Sequence, residues 1–374
     1  MFKASRIALI ALISLACSGA GNPGTGTGGT GGVADTGGSA DTGGAPATGG
    51  SGGAPAIGGT GGARDPLDTA PWRPLSITAT KGLHQHMVFG ETYVGVDTRA
   101  AKMAGKLVVD LGVDQGTYLP WLGKRGFHVF GVKFYHCQHI DNWSAPYGRD
   151  YPTNCRLQTF DGMARGGAEN DANGNVTATN NIAYKIKTGL AMLHASYPQE
   201  DWGYFLNQDG SVRWSDVAMT GYSHGAQTAA MLAHYVRLYR VVSRSGPREN
   251  NCGNGALVGA YDPNNPPFKA NCDMSQWGSW EDVPFVTPVE RVFSFAGTMD
   301  TQFGDDMWSC DHMKYVGLPF DVSNTAPPYD GLTYDGSHRF ISSEGHTAFD
   351  SKPSELQAEN AAFGVLPENL NPNF

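Results

Sequence analysis

From residue 106 onward, short continuous apolar runs alternate with stretches of helical period. Residues 106–111 are apolar but for Lys106 and Asp110 and stop at Gly112, which predicts a strand buried on both faces. A short helix is expected over 117–125, ended by Gly126, and a second strand over 127–132. Between 180 and 196, Ile182, Ile186, Leu190 and Leu193 recur every three or four positions, so they share one helix face, and Pro198 lies beyond the end. Further strands are expected at 216–220, 239–243, 291–296 and 338–342, with a helix of small residues at 226–233. From 248 to 288 the pattern dissolves into Gly, Pro, Asn and Trp and reads as an irregular insertion over the sheet edge. Strands separated by helices predict an α/β fold: a mostly parallel central sheet with helices on both faces. Ligands of such sheets bind beyond the carboxyl ends of the strands, where Gly112, Ser223 and Asp300 are expected.

Upstream of this region the composition changes twice. Lys3 and Arg6 precede an apolar stretch, 7–16, that is too short to span a bilayer and reads as a signal segment, 1–17. Small residues ending in Cys17 resemble the lipobox of bacterial lipoproteins, which implies a lipid anchor at Cys17 and a place in the cell envelope, or else simple secretion. Residues 18–65 are Thr-Gly-Gly and Gly-Gly-Ala units that cannot bury enough apolar surface to offset chain entropy. They are expected to form a flexible tether with a reach of about 35–40 Å. Residues 66–374 then suffice for one large catalytic domain. A net charge of −9 without a Lys/Arg cluster excludes nucleic acid as an expected partner, leaving the membrane as a partner only through Cys17.

Six cysteines are present. With Cys17 lipidated or removed, the short intervening loops make Cys137–Cys155 and Cys252–Cys272 the expected bridges and leave Cys310 over. Neither pair has the spacing of a redox motif.

The segment with the most chemical content is Gly221-Tyr222-Ser223-His224-Gly225, set between the expected strand 216–220 and the expected helix 226–233. A serine at so sharp a strand-to-helix turn needs near side-chain-free residues two before and two after it, and both are glycine. With 51 glycines in the chain the pattern alone is weak, so its weight comes from this context. A serine nucleophile also needs a base and a group to orient that base. Asp300 follows the strand 291–296, with Asp305 and Asp306 as rivals. His346 follows the last strand, whereas His338 sits at its start and hence at the wrong end of the sheet.

The order Ser223, Asp300, His346 is that of the α/β-hydrolase fold. From about residue 78 to the C-terminus the chain resembles secreted bacterial α/β-hydrolases of the esterase/lipase type. The resemblance implies cleavage of small or polymeric carboxylic esters through an acyl-enzyme intermediate, without a cofactor. It gives Ser223 the role of nucleophile, His346 that of general base and acid, and Asp300 that of orienting carboxylate. It implies an oxyanion hole made by the backbone N–H groups of His224 and Val113. Asp114 departs from the His-Gly-Gly-Gly loop of many esterases and should point away from the oxyanion or be paired. That departure motivates the alternative expectation, a catalytically inactive surface-binding protein on the same fold.

Other polar clusters read more simply. His84 and His86 have strand spacing with both rings on one face, and His136 and His139 follow a strand end. Without a carboxylate or second cysteine at ligand spacing, packing or pocket-wall roles are expected for all four, and no metal. Residues 171–175 lack the twelfth-position Glu of a calcium loop, since Ile182 falls there, and read as a polar turn. Trp277, Trp280 and Trp308 would wall an acyl pocket or pack a lid.

Overall fold

The computed structural model describes residues 75–90, 92–112, 115–134, 137, 150–163, 176–247, 278–297, 315–317, 319–323, 334–343, 345 and 352–370. All of them belong to the unit spanning 54–374. The expected signal segment, the tether and the boundary at 65 lie outside the described residues, as do most of the 248–288 insertion and the 171–175 turn.

Among the described residues one sheet of nine strands organises the chain. In chain order they are β1 (Leu83–Val88), β2 (Thr92–Asp97), β3 (Leu107–Leu111), β4 (His128–Gly131), β5 (Val217–Tyr222), β6 (Arg240–Arg244), β7 (Val292–Gly297), β8 (Phe320–Asp321) and β9 (Arg339–Ser342). Across the sheet they run β1-β2-β4-β3-β5-β6-β7-β9-β8. Only the β1–β2 and β2–β4 pairs are antiparallel, and every pair from β4 onward is parallel. Five α-helices among the described residues accompany it: α1 (Gln115–Lys124), α2 (Asp150–Asp161), α3 (Ile182–Ser196), α4 (His224–Leu232) and α5 (Pro353–Phe363). This is the α/β-hydrolase architecture, and each strand and helix expected from the apolar pattern is present within a few residues of its expected bounds.

The continuous apolar runs are explained by burial on both faces. Val109, Leu111, Met219 and Val241 pack on one side with Ile186 and Leu190 of α3 and with Ala229 and Met231 of α4. The alternating positions Val108, Ala218, Val242 and Phe293 pack on the other side with Leu122 of α1 and with Ala358 and Phe363 of α5. Each fully buried aliphatic or aromatic side chain contributes roughly 1.5–3 kcal/mol over exposure, so the two layers supply the main drive for folding. Helix α3 starts where Asn181 caps it, its side chain accepting the N–H of Tyr184 at 2.8 Å. It ends before Pro198, as its sequence predicts.

Three elements carry no readable apolar period. Helix α2 buries Arg156, Gln158 and Thr159, and α5 buries Glu355, Glu359 and Asn360, so their inward faces are partly polar. The two-residue strand β8 is too short for any pattern. Of the expected disulfides, Cys137–Cys155 is formed, with the Cα atoms 5.9 Å apart. Cys252, Cys272 and Cys310 lie outside the described residues.

Candidate active site

Ser223 occupies the turn between β5 and α4, with φ 54° and ψ −117°. A non-glycine residue in this region carries strain of about 1–3 kcal/mol and persists only where its surroundings enforce it. Here they do. The Ser223 N–H donates to the Arg244 carbonyl at the end of β6 (3.0 Å), and the Ser223 carbonyl accepts the Gln227 N–H one turn into α4 (3.1 Å). Ser243 Oγ donates to the Ala226 carbonyl at 3.1 Å, tying the start of α4 to β6.

The flanking glycines are required by contact. A Cβ on Gly221 would overlap the backbone of Gly225, and a Cβ on Gly225 would overlap the carbonyl oxygen of Leu111. Strand β5 and helix α4 thus meet backbone to backbone, and α4 presses onto the end of β3. A third close approach comes from Gly246, where a Cβ would lie 2.9 Å from Ala226 Cβ and 3.2 Å from the Ser223 carbonyl oxygen. The segment 245–246 is held in turn by Ser245 N–H to the Phe295 carbonyl (2.9 Å) and Ser294 Oγ to the Gly246 carbonyl (2.9 Å). Ser223 is half-buried and directly follows the carboxyl end of β5.

His224 opens α4, so its N–H belongs to the first helical turn, whose amides lie outside the i→i−4 ladder and at the positive end of the helix dipole. Such an amide suits a developing oxyanion. Gly112, which follows Leu111 at the start of the β3–α1 loop, is buried, while Val113 and Asp114 lie outside the described residues.

Asp300 and His346 also lie outside the described residues, as do the rivals Asp305 and Asp306. The strands that lead to them are in place: β7 ends at Gly297 and β9 at Ser342, both parallel to β5. The segment between β9 and α5 is anchored at both ends. Ser342 Oγ donates to the buried Glu355 carboxylate at 2.7 Å, the Lys352 N–H donates to the same carboxylate at 3.2 Å, and Lys352 Nζ donates to Ser343 Oγ at 2.9 Å. His338 lies at the opposite end of β9, buried and stacked on Phe293 with ring centroids 4.1 Å apart. Burial and the nearby Arg240 cation push its pKa down to about 4. It is a core histidine.

Sequence reasoning missed the partner of His84 and His86. His86 Nε2 lies 2.8 Å and His84 Nδ1 3.3 Å from the carboxylate of Glu200, which is fully buried and also accepts Trp202 Nε1–H at 2.7 Å. Glu200 follows His86 by 114 positions, and no local spacing announces it. The cluster ties the edge strand β1 to the segment after α3. Among the described residues no group of three His, Cys, Asp or Glu side chains is set to hold a metal ion. Trp280 departs from the pocket-wall expectation: it is fully buried, edge-on to His234 at 5.1 Å, and belongs to the core. Trp277, Trp308, His136 and His139 lie outside the described residues.

No protein-family model and no curated protein matches the chain. Solved structures do resemble it at low identity. An S-formylglutathione hydrolase from Agrobacterium tumefaciens aligns over 80% of this chain and 98% of its own, with 12% identity and a TM-score of 0.37. A bacterial heroin esterase aligns over 76% and 84%, with 10% identity and a TM-score of 0.39. An acetyl xylan esterase from Aspergillus awamori aligns over 76% and 100%, with 15% identity and a TM-score of 0.34. At these values the likeness concerns the fold and carries no substrate to this chain.

Proposed function

We propose that this chain is a serine hydrolase that cleaves carboxylic esters, exported and anchored to the cell envelope through Cys17. The observation that carries the catalytic reading is the strained Ser223 at the tip of β5, enforced by backbone contacts of Gly221 and Gly225. A fold sustains such a conformation at a cost of about 1–3 kcal/mol, and a serine oxygen presented at the carboxyl edge of a parallel sheet explains why.

In this reading Ser223 Oγ attacks the ester carbonyl carbon while its proton passes to His346, held in orientation by Asp300. The oxyanion receives the N–H groups of His224 and Val113. The carbonyl–alkoxy bond then breaks, His346 returns the proton to the leaving alcohol, and the acyl group remains on Ser223. Water attacks this acyl-enzyme with His346 again as base, releasing the acid and restoring the serine. No cofactor enters these steps.

A fluorophosphonate probe, read by intact-protein mass, is expected to label the wild-type protein once and to leave Ser223→Ala unlabelled. A panel of acyl esters of increasing chain length should show turnover that vanishes in the same variant. Labelling that survives Ser223→Ala overturns the assignment of the nucleophile. A folded wild-type protein that takes no label and turns over no ester favours the surface-binding alternative.

A further inference from the structure

Two strands away from each other, on the face of the sheet opposite α4, stand two charged residues that the proposed chemistry does not use. Asp110 is the penultimate residue of β3 and is fully buried. Arg244 is the last residue of β6, its side chain mostly buried, and its Nη2 donates to Asp110 Oδ1 at 3.1 Å. Strand β5 lies between them, with Thr220 beside Asp110 and Tyr222 beside Arg244 in register. The pair therefore bridges the strand that carries the elbow, immediately before Ser223.

Each partner also reaches a residue next to the proposed site, Arg244 through its backbone and Asp110 through its packing. The Arg244 carbonyl accepts the N–H of Ser223 itself. The Asp110 carboxylate packs under Gly112, where a Cβ would lie 3.0 Å from Oδ1 and 3.1 Å from Oδ2. Gly112 is the first residue of the loop expected to supply the second oxyanion donor. On the other face of the sheet, Leu111 already meets Gly225, so the end of β3 is gripped from both sides.

We infer that Asp110 and Arg244 form a positioning pair, which holds the end of β3 at Gly112 in register with the nucleophile turn at Ser223 across β5. The inference rests on the hydrolase reading. A buried ion pair adds little net stability over a neutral replacement, whereas its directional contacts fix relative placement, and an oxyanion hole depends on placement to within a fraction of an ångström. Asp110 is fully and Arg244 mostly buried, which assigns them to positioning and not to substrate contact.

The test compares the wild-type protein with Asp110→Asn/Arg244→Gln, which removes both charges of the pair together. Three readouts are taken: thermal unfolding, kcat and KM on an ester that the wild type turns over, and inhibition by a boronic acid, whose tetrahedral adduct mimics the oxyanion. The expected result is a folded variant with KM within threefold of wild type, kcat at least tenfold lower and boronate affinity reduced in parallel. Unchanged kcat overturns the inference, and so does a lower kcat with undiminished boronate affinity. Should the neutral pair fail to fold, Arg244→Lys keeps the charge but shortens the reach. It is expected to lower kcat at constant KM, and wild-type kcat in that variant overturns the inference. A wild-type protein that takes no fluorophosphonate label ends the hydrolase reading itself, a separate outcome from any result on the pair.

Discussion

No side chain fits between Gly225 and Leu111: a Cβ on the glycine would overlap the carbonyl oxygen at the end of β3. The contact is backbone against backbone, so no rotamer change relieves it. Gly225→Ala must push α4 away from β3 or shift the β3–α1 loop, at about 1–3 kcal/mol or more. Ester turnover is expected to fall at least about 100-fold, the scale of losing one oxyanion donor. Gly82→Ala, before β1, is the control, since among the described residues its Cβ would meet only His84 Nε2, at an ordinary 3.9 Å, and its φ is unremarkable for an L-residue. Its turnover should stay within about threefold, measured under identical conditions.

Strain at Ser223 has a thermodynamic signature. Glycine ordinarily lowers stability relative to alanine by about 0.5–1 kcal/mol, through the entropy of the unfolded chain. At φ 54° the order should invert, because glycine alone accepts that conformation without cost. Ser223→Gly is expected to melt about 2 °C above Ser223→Ala, both being inactive. Calorimetry of the two variants measures the difference.

Acid should destabilise the fold through two core histidines. His128 is fully buried against Trp202 and Phe205 with Nε2 on the Glu200 carbonyl at 2.8 Å, and desolvation pushes its pKa down to about 4. Desolvation and the Arg240 cation bring His338 to about the same value. Between pH 6.5 and 4 the unfolded chain binds protons that the folded chain refuses. The stability contributed by neutral histidine is therefore complete above 6.5 and is lost as the pH falls toward 4. For His128 the full effect is on the order of 3 kcal/mol. Denaturant unfolding across this range should show the loss, and His128→Phe should flatten that limb of the curve while lowering stability near neutrality.

Glu200 is predicted to matter more than either histidine it faces. Glu200→Ala leaves Trp202 Nε1 and His86 without their buried acceptor and is expected to cost about 3–5 kcal/mol. His84, partly exposed and at 3.3 Å, should cost under about 1 kcal/mol when replaced by alanine. Urea midpoints of the two variants separate these outcomes.

The Cys137–Cys155 bridge closes a loop across 18 positions. By chain entropy such a loop contributes about 3 kcal/mol. Reduction, or the paired change Cys137→Ser/Cys155→Ser, is expected to lower unfolding free energy by about that amount, with ester turnover as the second readout.

What the residues alone determine here is whatever depends on neighbours in the chain. Continuous apolar runs specify strands covered on both faces, the i, i+4 recurrence from Ile182 to Leu193 specifies α3, and two glycines spaced around Ser223 specify a crowded turn. Those features follow from local sterics and from the demand that apolar surface leave water, so they are legible without coordinates. Helices α2 and α5 were not, because their buried faces carry polar residues such as Arg156 and Asn360, whose partners Gln227 and Arg125 come from remote segments. The same holds for Glu200 beneath His84 and His86, and for Arg244 reaching across β5 to Asp110. Each is a pairing of polar groups far apart in the chain, favourable only once folding has removed water and brought both partners to one place. Apolar burial tolerates many neighbours and leaves a periodic trace; a buried charge needs a particular partner, and only the tertiary structure names it.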